Sequence, residues 1–589
     1  MKLQKRFVLL LALVFVVSST PLLTGSQLNN YEEYNYNRLK QMALTNGYIR
    51  VIAKMDVPGI EVLTALSTGF KTGNSGKNKV FMQDAFNADL ALDEAIAKTR
   101  DTVLYRLNGT LYRVNRTYST LPYVALTVTP EALERLKSLV EVLRIAEDKR
   151  IPLPVTGEAQ ADNGNSGVDQ THLSISLDIV DAPVAWGFGY TGQGWYVAVL
   201  DTGIRSSHDM FQGKSIVEHC FSLGEDWFDT VNGGCPNGLT EMDGPGAAAH
   251  PEGPSGHGSH VAGIAAGNNG SDRFGVAKDA GIIAVQVFTY FSDENDVAAW
   301  QSDTLRGLEY VYTMRNTYRI ASVNMSLGSS AGYSEYCDSA IRADAVNNLR
   351  NAGIATVISS GNESRCNAVA DPACIRGAIT VNGSSKQDNE YSFGNWHDEM
   401  VDLMAPGTDI ISADGNNDTG YVGKSGTSMS APHVAGAWAI MKQYDENMTI
   451  DDILTTLQNS GLMISSTRCP DRIPKARINI GDALTSLLLI APPQNLTADQ
   501  QTNKAFLQTE YINELTWEAN PLNADKNVAN YRIYLVGNGN QLTLLTEVNS
   551  SNFRYWHRNV NRRETMTYAI TAVNDQGEES LPYYHTTDF

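Results

Sequence analysis

Basic residues are scarce in this 589-residue sequence: 45 Lys and Arg stand against 65 Asp and Glu, and the net charge of −20 argues against nucleic acid as a partner. Long hydrophobic runs are scarcer still. The one pronounced run, Phe7 to Val17, is shorter than the roughly 20 residues that cross a bilayer, and no later stretch reaches that length, so no membrane anchor is expected. Lys2, Lys5 and Arg6 before the run and Ser18, Ser19 and Thr20 after it complete the layout of a secretory signal, placed at residues 1–25, and predict a secreted, extracellular protein. Cysteine is sparse: Cys220, Cys235, Cys337, Cys366, Cys374 and Cys469 are even in number and scattered, which in an exported chain suits disulfides rather than a metal cluster. Cys220 with Cys235 and Cys366 with Cys374 are the simplest local pairs, leaving Cys337 with Cys469, but sequence alone does not choose among the pairings.

What is present implies several domains at this length. Residues 26–48 are polar and carry no periodic signal. From Tyr48 to Pro154, short apolar stretches (IRVIAKMDV, YVALTVTP) alternate with helical ones (DLALDEAIAKTR, EALERLKSLV), a small α+β unit. Residues 155–172 are rich in Gly, Asn, Asp and Ser and read as an exposed linker. Then come five largely apolar runs without polar–apolar alternation: residues 195–200, 282–288, 321–327, 355–359 and 378–381. Runs of this kind, separated by helical stretches, predict a doubly wound parallel sheet, an α/β fold whose functional residues gather beyond the carboxyl ends of the strands.

Four residues stand at such places. Asp201 ends the first strand; His257, in HGSHVAGIAAG, precedes a helix; Asn362 follows Gly361 after a strand; Ser428, in GKSGTSMSAPHVAGAWAIMKQY, is placed just before a helix whose Pro432 is expected in the first turn. A serine there faces unpaired backbone N–H groups that favour a developing oxyanion, and Gly436 offers close approach of another backbone. His257 and His260 are spaced for a shared helix face, but no Glu lies between them and no third ligand is evident, so zinc is not the reading.

Together, in the order Asp, His, Ser, with VAVLDTGI, HGSHVAG, VNMSLGS, SSGNES, MAPGTDI and SGTSMSAPHVAGA, the chain resembles the subtilisin-like (S8) serine proteases over residues 172–488. Ser259 stands where that family more often has Thr. The resemblance implies an endopeptidase in which Asp201, His257 and Ser428 are catalytic, Asn362 lines the oxyanion hole, and Ser326, Leu327 and Gly328 pair with the substrate backbone. It implies polypeptide substrates, no cofactor for the chemistry, and a monomer; calcium is common in the family, but no loop here spells a ligand set. The stretch from Ala368 to Ala373 is expected to line the primary pocket, its small residues favouring apolar side chains.

Residues 26–154, with the folded part at about 48–154, resemble the family's inhibitor-type propeptide, which implies a self-processing zymogen inhibited by its own N-terminal domain. The catalytic region with its linker spans 155–488. From 489 to 589 the pattern turns to alternation (ELTWEA, YRIYLV, TYAITAV), a β-sandwich. Trp517, Tyr531, Tyr534, Tyr568 and the trailing NDQGEES resemble fibronectin type III domains.

Overall fold

The computed structural model describes residues 25–68, 78–154, 157–158, 172–227, 230–250, 256–487, 490–505, 508–524, 526–537 and 541–587. All of the expected signal but Gly25, and most of the 155–172 linker, lie outside the described residues.

The N-terminal unit is a four-stranded antiparallel sheet in the order Tyr112–Thr117, Tyr123–Val128, Ile49–Met55, Val142–Glu147. Its two central strands, Ile49–Met55 and Tyr123–Val128, are buried on both sides because both sides are covered. Val51, Ala53, Val124 and Leu126 pack with Leu92, Ile96, Leu133 and Leu136 of helices Asn78–Arg106 and Pro130–Ser138. Ile52, Tyr123 and Ala125 point the other way, into a core shared with Leu305, Leu308, Val346 and Leu349. Thr129 starts the helix Pro130–Ser138, its Oγ1 accepting from the Ala132 N–H ahead of a proline that has no N–H to satisfy. The polar stretch before Tyr48 is a helix, Gly25–Asn46, which delivers Leu39 and Ala43 to the same core.

A ten-stranded sheet follows. From edge to edge it runs Glu241–Asp243, Ile216–Phe221, Gly281–Gln286, Tyr196–Asp201, Ile320–Met325, Ala355–Ser359, Ile379–Ser384, Leu403–Pro406, Lys475–Arg477, Leu462–Ile464, parallel throughout except at the two outermost strands. The five expected strands are five consecutive neighbours in its middle. Alternate residues serve opposite cores: Val197 and Val199 face helices His257–Ala266 and Thr427–Tyr444, while Ala198 and Leu200 face helices Gln301–Met314 and Ala343–Asn351.

Two corrections belong here. Helix Thr427–Tyr444 begins before Ser428, so Pro432 lies at its sixth position, inside the helix rather than in its first turn. The disulfides are Cys220–Cys235, Cys337–Cys374 and Cys366–Cys469, so the first simple local pair is formed, whereas Cys366–Cys374 and the remaining Cys337–Cys469 are exchanged. The strands Gly332–Tyr333 and Val369–Ala370 pair antiparallel, and the Cys337 N–H donates to the Cys374 carbonyl, which brings those two Cα atoms within 5.3 Å.

The C-terminal region is two antiparallel sheets, one of Gln494–Ala505, Gln508–Glu518 and Arg554–Val560, the other of Leu542–Asn549, Val528–Val536, Thr567–Asn574 and Tyr583–Thr586. Leu515, Trp517, Tyr531, Ile533, Tyr568 and Ile570 fill the space between them.

Candidate active site

Asp201 ends its strand fully buried, and the neighbouring Thr202 N–H donates to its Oδ1 at 2.7 Å. His257 opens its helix, with Nδ1 2.8 Å from the same oxygen. A carboxylate there accepts from Nδ1–H and so leaves a lone pair on Nε2. The close approach depends on glycine: a Cβ on Gly258 would fall 2.1 Å from the Gly203 carbonyl and 3.2 Å from the Asp201 Cβ.

Ser428 enters from the opposite helix, the second residue of Thr427–Tyr444. That helix lies against His257–Ala266, where a Cβ on Gly436 would sit 2.6 Å from the Ala265 carbonyl. Pro432 has no N–H for the Ser428 carbonyl four residues back, and the Ser326 hydroxyl donates to that oxygen instead, at 2.7 Å. Ser326 Oγ in turn accepts from Asn324 Nδ2 at 3.0 Å. Ser428 Oγ and His257 Nε2 are both buried and have no hydrogen-bond partner among the described residues. Asn362 lies beside the start of the same helix, its Oδ1 accepting from Thr427 N and Thr427 Oγ1 at 3.0 and 2.9 Å. Holding the carbonyl end sets the amide plane and defines Nδ2 as its donating end.

Asn362 lines a cavity of about 260 Å³ together with Gly328, Gly361, Ala370, Pro152, Leu153 and Pro154. Residues 152–154 of the chain itself thus form part of the cavity wall. Arg150–Pro152 pairs antiparallel with Asp296–Trp300, and the Leu153 N–H donates to the Val297 carbonyl at 3.1 Å. On the far side, Gly157–Glu158 pairs with Tyr421–Ser425, three residues before Ser428. Leu327 is fully buried in the core, whereas Gly328 lies on the cavity wall.

The Subtilase family profile matches residues 192–504, just over half of the sequence. The chain belongs to the subtilase family. This subtilase is 31% identical over 346 residues to the extracellular serine proteinase of a Thermus species, 59% of its own length and 72% of that protein's. It is likewise 31% identical over 354 residues to the alkaline protease of Alkalihalobacillus alcalophilus, 59% of this chain and 77% of the other. To the minor extracellular protease Epr of Bacillus subtilis it is 30% identical over 336 residues, 56% of this chain and 45% of that one. The subtilase is thus a serine peptidase, and among the described residues no helix is long and apolar enough to cross a membrane.

Two parts of the site carried no sequence signal. His250 lies in a Gly- and Pro-rich loop without a motif, yet it ties the Asp201 and His257 segments of the subtilase together: Nδ1 donates to the Thr202 carbonyl at 3.1 Å and Nε2 accepts from Ser259 Oγ at 2.6 Å. Ser259 Oγ accepts from the Arg205 N–H. Burial pushes His250 down to about 4, so the ring stays neutral and the direction of each bond is set. The other is the strand Asp296–Trp300, whose short DVAAW run is too brief to distinguish by periodicity. His260 is structural: burial holds it well below the usual histidine range, and Nε2 lies 2.9 Å from the carbonyls of Ile410 and Val422.

Proposed function

We propose that this subtilase is a secreted endopeptidase, made as a zymogen that cuts itself, with Asp201, His257 and Ser428 as its triad. Ser428 Oγ attacks the carbonyl of the bound peptide bond while His257 Nε2 takes its proton; Asp201 holds the tautomer and stabilises the imidazolium. The tetrahedral oxyanion receives hydrogen bonds from Asn362 Nδ2 and the Ser428 backbone N–H. His257 then protonates the leaving amine, and water repeats the sequence on the acyl-enzyme. Ser326 to Gly328 supply one backbone edge for the substrate, Asp296–Trp300 the other, and the chemistry needs no cofactor.

The observation that carries this reading is the strand pairing of residues 150–152 and 157–158. Arg150–Pro152 is held as a strand by Asp296–Trp300, and Gly157–Glu158 by Tyr421–Ser425, which ends three residues before Ser428, in the manner of a bound substrate. We therefore assign residues 26–154 as an inhibitory propeptide and put the first cut between Pro154 and Gly157. The C-terminal sandwich, of fibronectin type III type, is an accessory domain, and the enzyme acts as a monomer on polypeptides in unfolded or loop form.

Labelling the processed protein with a serine-directed phosphonate should modify Ser428, and N-terminal sequencing should find a mature chain that starts at residue 155, 156 or 157. Ser428→Ala should accumulate as the precursor. A label on another serine, or a Ser428→Ala chain that matures normally in a protease-free preparation, would overturn the assignment.

A further inference from the structure

The register between Arg150–Pro152 and Asp296–Trp300 sets Arg150 opposite Trp300, and its side chain lands in a formed site. The guanidinium carbon lies 3.9 Å from the centroid of the Phe291 ring and 5.0 Å from that of Trp300. Nη1 donates to Glu294 Oε1 at 2.8 Å. The two rings are mutually edge-to-face, with centroids 6.1 Å apart, and share a small core with Leu223 and Ala298, so their faces are rigid. A second guanidinium, that of Arg50, sits 3.7 Å from the Trp300 centroid while paired with Asp148 at 3.0 Å.

Phe291, Glu294 and Trp300 belong to the catalytic region, whereas Arg50, Asp148 and Arg150 all precede the assigned cut. Departure of the N-terminal segment removes two guanidinium groups from the Trp300 ring and one from Glu294. We propose that Phe291, Glu294 and Trp300 form a substrate subsite for a cationic side chain, arginine before lysine, at the position four residues upstream of that taken by Pro154. The inference rests on reading residues 150–158 as the cleft's first occupant. A planar guanidinium stacks on a ring face while an N–H reaches a carboxylate, a combination that an ammonium meets less well. An acidic side chain at the same position meets Glu294 and is disfavoured.

The test uses mature enzyme and fluorogenic nonapeptides of the sequence of residues 150–158, with Arg, Lys, Ala or Glu at the first position, product masses confirming a common cleavage point. The expected order of kcat/KM is Arg, Lys, Ala, Glu, with Arg over Ala by roughly 3- to 10-fold, the size of one exposed stacking contact plus one surface ion pair. Glu294→Lys should reverse the order of the Arg and Glu peptides. Equal kcat/KM for the Arg, Ala and Glu peptides would sink the subsite while leaving the cleft reading in place. An enzyme that cuts casein but none of the four peptides would sink the cleft reading and the subsite with it.

Discussion

Pro432 shows how one residue shapes the candidate site: by lacking an N–H it leaves the Ser428 carbonyl to Ser326, so the wall strand and the nucleophile's helix are joined where the substrate would lie. Asn362 is locked just as locally, through Thr427, the residue before Ser428. Asn362→Ala should therefore lower kcat by roughly 100- to 1000-fold with KM held, since the donor acts on charge that forms only in the transition state. A raised KM at unchanged kcat would make Asn362 a substrate-binding residue. The four candidate groups were legible because each stands in a strand-end or helix-start motif. His250 was not, because its role depends on a loop folding back onto Thr202 and Ser259. A second buried imidazole gives a pH prediction. His433 Nδ1 donates to the Met429 carbonyl and Nε2 accepts from Ser176, and burial pushes the ring down to about 4. An unfolded chain takes up a proton near 6.5 that the fold refuses until about 4. The stability of the neutral ring is thus full above about 6.5 and is lost as pH falls towards 4. In the inactive Ser428→Ala background, His433→Gln should cost more at pH 7 than at pH 4, the gap approaching about 3 kcal/mol in urea melts. An equal cost at both values would mean that the ring is already charged in the fold.

Among the elements, the helix Gln301–Met314 decides how the N-terminal unit is held. Glu309 accepts from the Ser119 and Thr120 N–H groups at 2.8 and 2.6 Å, and Asp303 pairs with Arg116 at 2.8 Å, both carboxylates fully or almost fully buried. Burial raises both from the usual carboxylate range, against the pull of Arg116 on one and of Arg306 and the Thr120 donors on the other. Glu309→Ala strands the part-buried Ser119 N–H and the buried Thr120 N–H of the N-terminal unit, and hydrogen bonds to charged groups are worth about 1.5–3 kcal/mol. A separate fragment of residues 26–154 should then inhibit the mature variant about 10- to 100-fold less tightly, with hydrolysis of short peptides unchanged. Inhibition as tight as before would show that the apolar contacts of Ile52, Tyr118 and Tyr123 suffice. The central strands were legible as largely apolar runs, because burial on both faces leaves few polar positions and no polar face. Leu403–Pro406 and Lys475–Arg477 were not, being only four and three residues long. Nor was helix Gly25–Asn46, in which a few apolar residues are spread through a polar sequence.

At the scale of the whole molecule, the question is whether the C-terminal sandwich is needed for the fold of the peptidase. The two regions are joined through a short stretch in which Ile490 belongs to the sandwich core and Ala491 to the core beside helix Thr427–Tyr444. Asn523 closes a pair of hydrogen bonds with Ala491, donating to its carbonyl at 2.6 Å and accepting from its N–H at 2.7 Å, and Asn520 donates to the Pro492 carbonyl at 2.8 Å. None of Asp201, His257, Asn362 and Ser428 lies in the sandwich, and each region fills its own core, so removal of residues 492–589 should leave kcat/KM on short peptides intact. The truncation still strips the Ala491 backbone of its two side-chain partners. Each net hydrogen bond is worth about 0.5–1.5 kcal/mol, so the melting temperature of the peptidase should fall by only a few degrees. Retained peptide cleavage with weaker action on fibrous or surface-bound protein would assign the sandwich to substrate capture. A truncated chain that is insoluble, or folded but inactive on short peptides, would show instead that the sandwich completes the fold of the peptidase.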